Sequence, residues 1–379
     1  MRPLLTDFPQ PPIYSLVPPL LRKWISITGA LAALAVWAYF LPWQRALDGH
    51  NDFLGQYCGA RLAGSPLLHD HGANATEQIR AAHVEMSSET FMRPDYYAAL
   101  LWPLGQLPFP IAYRCFVALN MAAFLVVLWL LRERKELLLL CAVSIPFVTS
   151  LSSGQDLPIL LAALLGAFHL DRTHRSFSGG LCFALCAIKP HLFIFVPISL
   201  LAGRRWRMLA GASTGFVALF LLAVACQGWH WLPDYLSFLR SPDLHPVPFP
   251  MPNLRGFASA LSLPGATVEI AGLIAILLWL GFTVWETRHS KPQIEHLAAM
   301  AMAAAFLLSW HLGVQDCLLF IAIAAFASVK SRLYQVSVWL AAPITYFLAA
   351  ASLPISAIPA LLLAGGFFAS SRQAGSIQA

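Results

Sequence analysis

The chain has 379 residues, of which 58% are hydrophobic and 11% charged, with a formal net charge of +6. A soluble domain carries roughly 25% charged residues, so this composition excludes an ordinary soluble enzyme and points to a polytopic membrane protein. The positive balance does not indicate a nucleic-acid partner, because the basic residues fall in small clusters between apolar runs, as topology signals do.

Cysteines at 58, 115, 141, 182, 186, 226 and 317 form no C-x-x-C and lie mostly in or beside apolar segments. They read as small core residues rather than a disulfide framework. Arg22 and Lys23 precede an apolar run from Trp24 to Leu41. The run is longer than a typical signal h-region and no A-x-A site follows, so it reads as a retained first transmembrane helix.

Beyond it lies a long polar loop, 44–95, with helix-like pieces at Phe53 to Ala63 and Asn74 to Ser87. Amphipathic segments lying along a membrane interface fit this loop. A short apolar run at 96–108 follows. Longer ones fall at 110–131, 137–151, 156–170, 177–202, 207–227, 265–286, 295–309, 313–328, 333–350 and 354–370. A spanning helix needs about 20 apolar residues. A second long loop, 228–264, is rich in Trp and Pro, which suits the headgroup level.

The run 177–202 is divided by Lys189-Pro190 at its middle. Lysine at the bilayer centre is costly and proline breaks the helix, so two shorter helices meeting at Lys189-Pro190 are expected there. With the N-terminus cytoplasmic, 96–108 re-entrant and 177–202 passing twice, sixteen of the 24 Lys and Arg residues fall inside. That agrees with the positive-inside rule and gives about twelve crossings with both termini cytoplasmic. Making 96–108 a full crossing would put the cluster Arg132 to Lys135 outside, and is disfavoured. The expected fold is therefore an all-α polytopic membrane helix bundle forming one domain, 1–379. Its unusual polar motifs all reach the outer side.

Asp52 lies just past the first membrane edge. A hydroxyl nucleophile needs a base, and a carboxylate beside a cavity can serve. Capping the helix that starts near Phe53 is the alternative reading. Lys189 suits stabilisation of a phosphate-type leaving group, with His191 adding a hydrogen bond; snorkelling is the alternative, from an unfavourable position at mid-run. Gly154-Gln155-Asp156 joins two apolar runs with almost no linker, as a tight turn with Asp156 at the N-cap would. Ser309 to Asp316 is a similar hinge. His69-Asp70-His71 is a weak metal signal. Asn74-Ala75-Thr76 fits a glycosylation acceptor, a pattern common by chance. No nucleotide-binding glycine motif occurs, which argues against a nucleotide-driven mechanism.

Taken in order, these motifs resemble glycosyltransferase family 87, polyprenol-phosphate-mannose-dependent mannosyltransferase-like membrane proteins of the GT-C fold. The residues that carry the resemblance are Asp52, Tyr57, Gly59-Ala60-Arg61, Gly64 to Leu67 and Asp70, then Arg93 to Tyr97, Gly154-Gln155, Ile188-Lys189-Pro190, Asn253, and the hinge Ser309, His311, Asp316. They cover about residues 25–330. Two positions depart from the family pattern: the usual Tyr-Pro-Pro is altered at 94–97, and Asp156 stands where Asn usually follows Gly-Gln.

The resemblance implies an inverting transfer of mannose or another hexose from a polyprenyl-phosphate donor to a lipid or glycan acceptor, at the outer face of a membrane such as the bacterial plasma membrane. It implies Asp52 as base. It implies Lys189, with His191, Gln155, Arg61 or His311, at the donor phosphate, and Arg93, Asp156, Asn253 and Asp316 at the substrates. It implies no cofactor and no metal. Two other readings stay open: a polyprenyl-lipid or polysaccharide transporter, which would place polar sites near the midplane, and a non-catalytic envelope-assembly protein.

Overall fold

The structure is a computed structural model that describes residues 43–84, 90–133, 145–241, 251–289, 293–309, 311–326, 344–349 and 351–358, with a few isolated positions besides. Almost all of the first apolar run, positions 137–144, most of 333–350, the run from 359 and both termini lie outside the described residues. So do the expected orientation of the termini and the count of crossings.

No strand occurs among the described residues, and the regular structure is helical. The helices are α1 (Trp43–Asp48), α2 (Asp52–Leu62), α3 (His71–Ala82), α4 (Asp95–Gly105), α5 (Phe109–Leu130), α6 (Ile145–Ser152), α7 (Leu157–Arg172) and α8 (Ser176–Ala184). They continue as α9 (Pro190–Phe193), α10 (Val196–Ala202), α11 (Trp206–Gln227), α12 (Trp231–Phe238), α13 (Leu254–Ala260), α14 (Gly265–His289), α15 (Ile294–Leu308) and α16 (Phe320–Phe326).

Helices α5, α11 and α14 are long and apolar enough to cross a membrane. They turn large apolar side chains outward, including Leu125 on α5, Val217 and Leu221 on α11, and Leu273 and Leu277 on α14. Apolar faces exposed on this scale belong in lipid. Helix α4 has 11 residues. At 1.5 Å per residue it reaches about 16 Å, well short of a bilayer core of roughly 30 Å.

The break in 177–202 falls where the proline requires it. Helix α8 tightens into a 3-10 turn, Leu185–Ile188, and Lys189 sits between helices with φ −125° and ψ 70°. Pro190 opens α9, where its missing N–H costs no hydrogen bond. Helices α8 and α11 touch backbone to backbone at Gly180 and Gly211: a Cβ on Gly180 would lie 2.0 Å from the Met208 carbonyl oxygen, and one on Gly211 would lie 2.0 Å from that of Phe177. Close helix approach through small residues is the packing mode of membrane bundles.

The helices run between two ends. One gathers the start of α2, the start of α7, the Lys189 break and the chain after α15 around a single cavity. The other, sixteen residues of α7 away, carries the ion pairs Arg172–Glu295 and Arg205–Asp171. Sixteen helical residues correspond to about 24 Å.

Helix α2 departs from the expected interfacial role. Phe53, Leu54, Tyr57, Cys58 and Ala60 are all buried. The Phe53 ring stacks on Phe116, with centroids 4.5 Å apart, and also meets Phe109 and Tyr113 of α5. These aromatics of α5 give α2 an apolar bed inside the protein, so it does not lie along a lipid surface.

Candidate active site

Asn51, not Asp52, caps α2: its Oδ1 accepts from the Phe53 N–H at 3.1 Å. Its Nδ2 donates to the Ser152 carbonyl at 2.9 Å and to the Tyr113 hydroxyl at 3.2 Å. The Asp52 N–H donates to the Ser153 carbonyl at 3.1 Å. The start of α2 is thus clamped onto the turn that ends α6. Gly154 makes this possible, with φ +68° and no side chain; a Cβ there would lie 2.2 Å from Asn51 Oδ1. Gln56 adds a bond from Nε2 to the Gly154 carbonyl at 3.0 Å and accepts from the Tyr97 hydroxyl at 3.0 Å.

Capping by Asn51 frees the Asp52 carboxylate for a tertiary partner. Gln155 Nε2 donates to Asp52 Oδ2. Gln155 Oε1 accepts from Arg93 Nη2 at 3.0 Å, and the same nitrogen lies 3.3 Å from Asp156 Oδ1. Asp156 occupies the N-cap position of α7 but makes no side-chain capping bond. It is fully buried and pairs with Arg93 instead. Burial is the largest single influence and works against the Arg93 charge, but Asp156, Tyr97, Asp316 and Tyr235 together outweigh it and hold the guanidinium above its ordinary value.

Lys189 Nζ lies 2.6 Å from Asp316 Oδ1. The second Asp316 oxygen accepts from the Gly313 N–H at 2.7 Å. His191 and His311 face each other with ring centroids 6.5 Å apart. His191 Nε2 and His311 Nδ1 are buried with no hydrogen-bond partner among the described residues.

A cavity of 970 Å³ joins these groups, lined by Asp52, Gln155, Arg93, Lys189, His191 and His311, with Tyr235 and Arg240 on its α12 side. A second, apolar pocket of 370 Å³ adjoins it, lined by residues such as Phe183, Ile194, Phe216 and Leu219. Tyr96, Pro190, Trp231 and Leu232 belong to both linings. Charge and hydrogen-bonding capacity thus sit beside a lipid-like surface, as an amphiphilic ligand requires.

Other expected site residues lie elsewhere. Arg61 pairs with Glu77 at 2.8 Å and reaches the Gly105 carbonyl at 3.3 Å, away from the cavity lining. Asn253 caps α13 and donates to the Ser309 carbonyl at 2.8 Å. Asp156 and Asp316 stand directly behind the cationic lining residues. His69, Asp70 and His71 diverge: His69 bonds Asp95 and the Phe91 carbonyl, Asp70 caps α3, and His71 bonds Thr90. Asn74 is buried and donates to the Leu68 and Asp70 carbonyls, so it is not presented as a glycosylation acceptor.

Sequence reasoning did not single out Asn51, Trp231 and Tyr235, and took Tyr96 only as part of the motif Arg93 to Tyr97. The run Trp229-His230-Trp231 carried a signal, read as a headgroup belt; instead Trp231 is buried and walls both cavities.

Residues 91–312 match the model of glycosyltransferase family 87. Searches of curated proteins and of solved structures return no match. The matched span holds Arg93, Gln155, Asp156, Lys189, His191, Asn253 and His311; it begins after Asp52 and Arg61 and ends before Asp316. It is narrower than the span of about 25–330 over which the motifs resemble the family.

Proposed function

The chain belongs to glycosyltransferase family 87, and on that premise we propose that it transfers a hexose, such as mannose, from a polyprenyl-phosphate donor to a lipid or glycan acceptor at the outer face of a membrane. The observation that carries this reading is the meeting, in one cavity, of the Asp52 carboxylate, a set of cationic and imidazole groups, and the mouth of an apolar pocket.

In the proposed reaction Asp52 accepts the proton of the acceptor hydroxyl. The acceptor oxygen attacks the anomeric carbon, and the bond from that carbon to the phosphate oxygen breaks. The electron pair leaves with the lipid phosphate, and a single displacement inverts the anomeric centre. Lys189 has three N–H donors, one of which is given to Asp316. The others, with His191 and His311, would receive the charge that develops on the phosphate. The imidazoles of those histidines line the same cavity as Lys189, which supports this. The apolar pocket suits the polyprenyl tail.

The test is to incubate purified protein with a polyprenyl-phosphate hexose and extracted envelope lipids, then analyse the lipids by mass spectrometry. A product heavier by one hexose, absent with Asp52→Asn, is the expected result. A purified, folded enzyme that moves no hexose to any envelope component would overturn the proposal.

A further inference from the structure

We infer that Arg93 is a positioning residue for Asp52, acting through the Gln155 amide; the inference rests on the assignment of Asp52 as the base.

The Gln155 amide stands between two groups of opposite hydrogen-bonding character. On one side is Asp52, whose carboxylate accepts from Nε2. On the other is Arg93, whose Nη2 donates to Oε1 at 3.0 Å. An arginine has only donors and does not lose its proton, and an ionised carboxylate has only acceptors. Turning the amide over would set donor against donor at Arg93 and acceptor against acceptor at Asp52. Only one amide orientation satisfies both neighbours, and Arg93 enforces it.

Arg93 is fixed in turn. Its side chain is 15% exposed and is held by Asp156, which is not exposed at all. Asp156 follows Gln155 directly, so both contacts come from one short turn that Gly154 locks against the start of α2. Arg93 thus spans from the loop before α4 to the turn before α7 and dictates which end of Gln155 meets the base.

The consequence is chemical. A hydrogen bond donated to a carboxylate favours its charged form, and an acceptor pointed at it disfavours that form. With the amide fixed, Asp52 keeps a donor against its Oδ2. Among the described residues, the other charged and titratable groups in or behind this cavity are Lys189 with Asp316, Asp156 behind Arg93, the imidazoles of His191 and His311, Tyr96 and Tyr235, Tyr97 behind Gln56, and Arg240 at the α12 side.

The experiment follows hexose transfer against pH, with donor and acceptor varied separately. Gln155→Glu places a second carboxylate beside Asp52. Like charge raises the pH at which the base ionises, so the acid limb of the rate profile should move up by about one unit or more. Gln155→Met should lower kcat at least tenfold and leave the donor KM within about twofold. Arg93→Met should do the same, and the double variant should be no slower than Gln155→Met alone, because both changes break one chain of contacts. Arg93→Lys, which keeps a donor and the charge, should recover part of the rate.

An acid limb unmoved by Gln155→Glu, or losses at Arg93 and Gln155 that multiply in the double variant, would overturn the inference. If Arg93→Met fails to fold with Asp156 unpaired, Arg93→Lys keeps a cation beside Asp156 and decides it: a full parental rate in that variant would show that the guanidinium does not set the Gln155 amide. Retained transfer by Asp52→Asn would instead remove the base assignment itself, and the two failures are thereby distinguished.

Discussion

Lys189 Nζ lies 2.6 Å from Asp316 Oδ1, with the side chains 4% and 1% exposed. A buried ion pair is costly to break from one side, because the remaining charge is left without a partner; the penalty is about 3–5 kcal/mol. Lys189→Met should therefore lower the thermal midpoint sharply. The paired substitution Lys189→Met with Asp316→Leu should restore most of it, since apolar replacements of a buried pair are often neutral. If Lys189 also binds the donor phosphate, that stable double variant should bind a polyprenyl-phosphate sugar at least tenfold more weakly. Unchanged affinity in the restored protein would assign the lysine a structural role alone.

The Gly154 turn carries the next expectation. With φ +68° and Asn51 Oδ1 2.2 Å from any added Cβ, Gly154→Ala meets both backbone strain and a clash with the α2 cap. Such replacements destabilise by more than about 1 kcal/mol. The shift should also displace Gln155 from Asp52, so kcat should fall further than stability loss alone explains. Calorimetry and transfer rates on the same sample measure both; a normal midpoint with normal kcat would show that the turn relaxes freely.

Asn51 separates cap from clamp. Asn51→Asp keeps the side-chain oxygen that caps α2 but loses the donor to the Ser152 carbonyl and the Tyr113 hydroxyl. Asn51→Ala loses both functions, and a lost cap alone costs about 0.5–2 kcal/mol. The alanine variant should be the less stable, whereas both should lose activity, because both release the α6 turn that carries Gln155. Equal activity of the aspartate variant and the parent would confine Asn51 to capping.

The helices and the site were not equally legible in the sequence. The break at Lys189-Pro190 was, because a mid-run lysine followed by proline has one local solution. The all-helical character and the apolar runs that became α5, α11 and α14 were legible for the same reason: length and hydropathy act locally. Contacts were not. Gln155 and Asp52 are 103 positions apart, and Lys189 and Asp316 are 127 apart. Only the packing of α2 against the α6 turn, and of the Lys189 break beside the chain after α15, brings them together. Arg61 shows the same limit from the other side. As a cation in the motif-bearing stretch it looked suited to phosphate, yet Glu77 lies one helix away and takes it.

Arg61 therefore makes a control. Its side chain is 36% exposed and its partner Glu77 also receives Arg80. A pair of this kind contributes no more than about 1 kcal/mol. Arg61→Ala should lower stability slightly and leave donor KM unchanged. A large rise in donor KM at constant stability would place the guanidinium at the phosphate after all.

The apolar pocket gives the last expectation. Leu219 on α11 lies in its wall, as do Phe216, Phe183 and Ile194. A polyprenyl tail would come from the bilayer rather than from water, so filling the pocket exchanges one apolar environment for another, and shape rather than hydrophobicity sets the preference. Leu219→Trp adds bulk that the tail must avoid. For a long-chain donor, KM should rise about fivefold, equivalent to roughly 1 kcal/mol. A donor cut to two isoprene units, too short to fill the pocket, should be affected little. The ratio of the two KM values isolates the tail from the phosphate and sugar, which are common to both donors. A rise of equal size for both donors would mean that the substitution disturbs the shared wall at Trp231 and Pro190, and that the tail lies elsewhere.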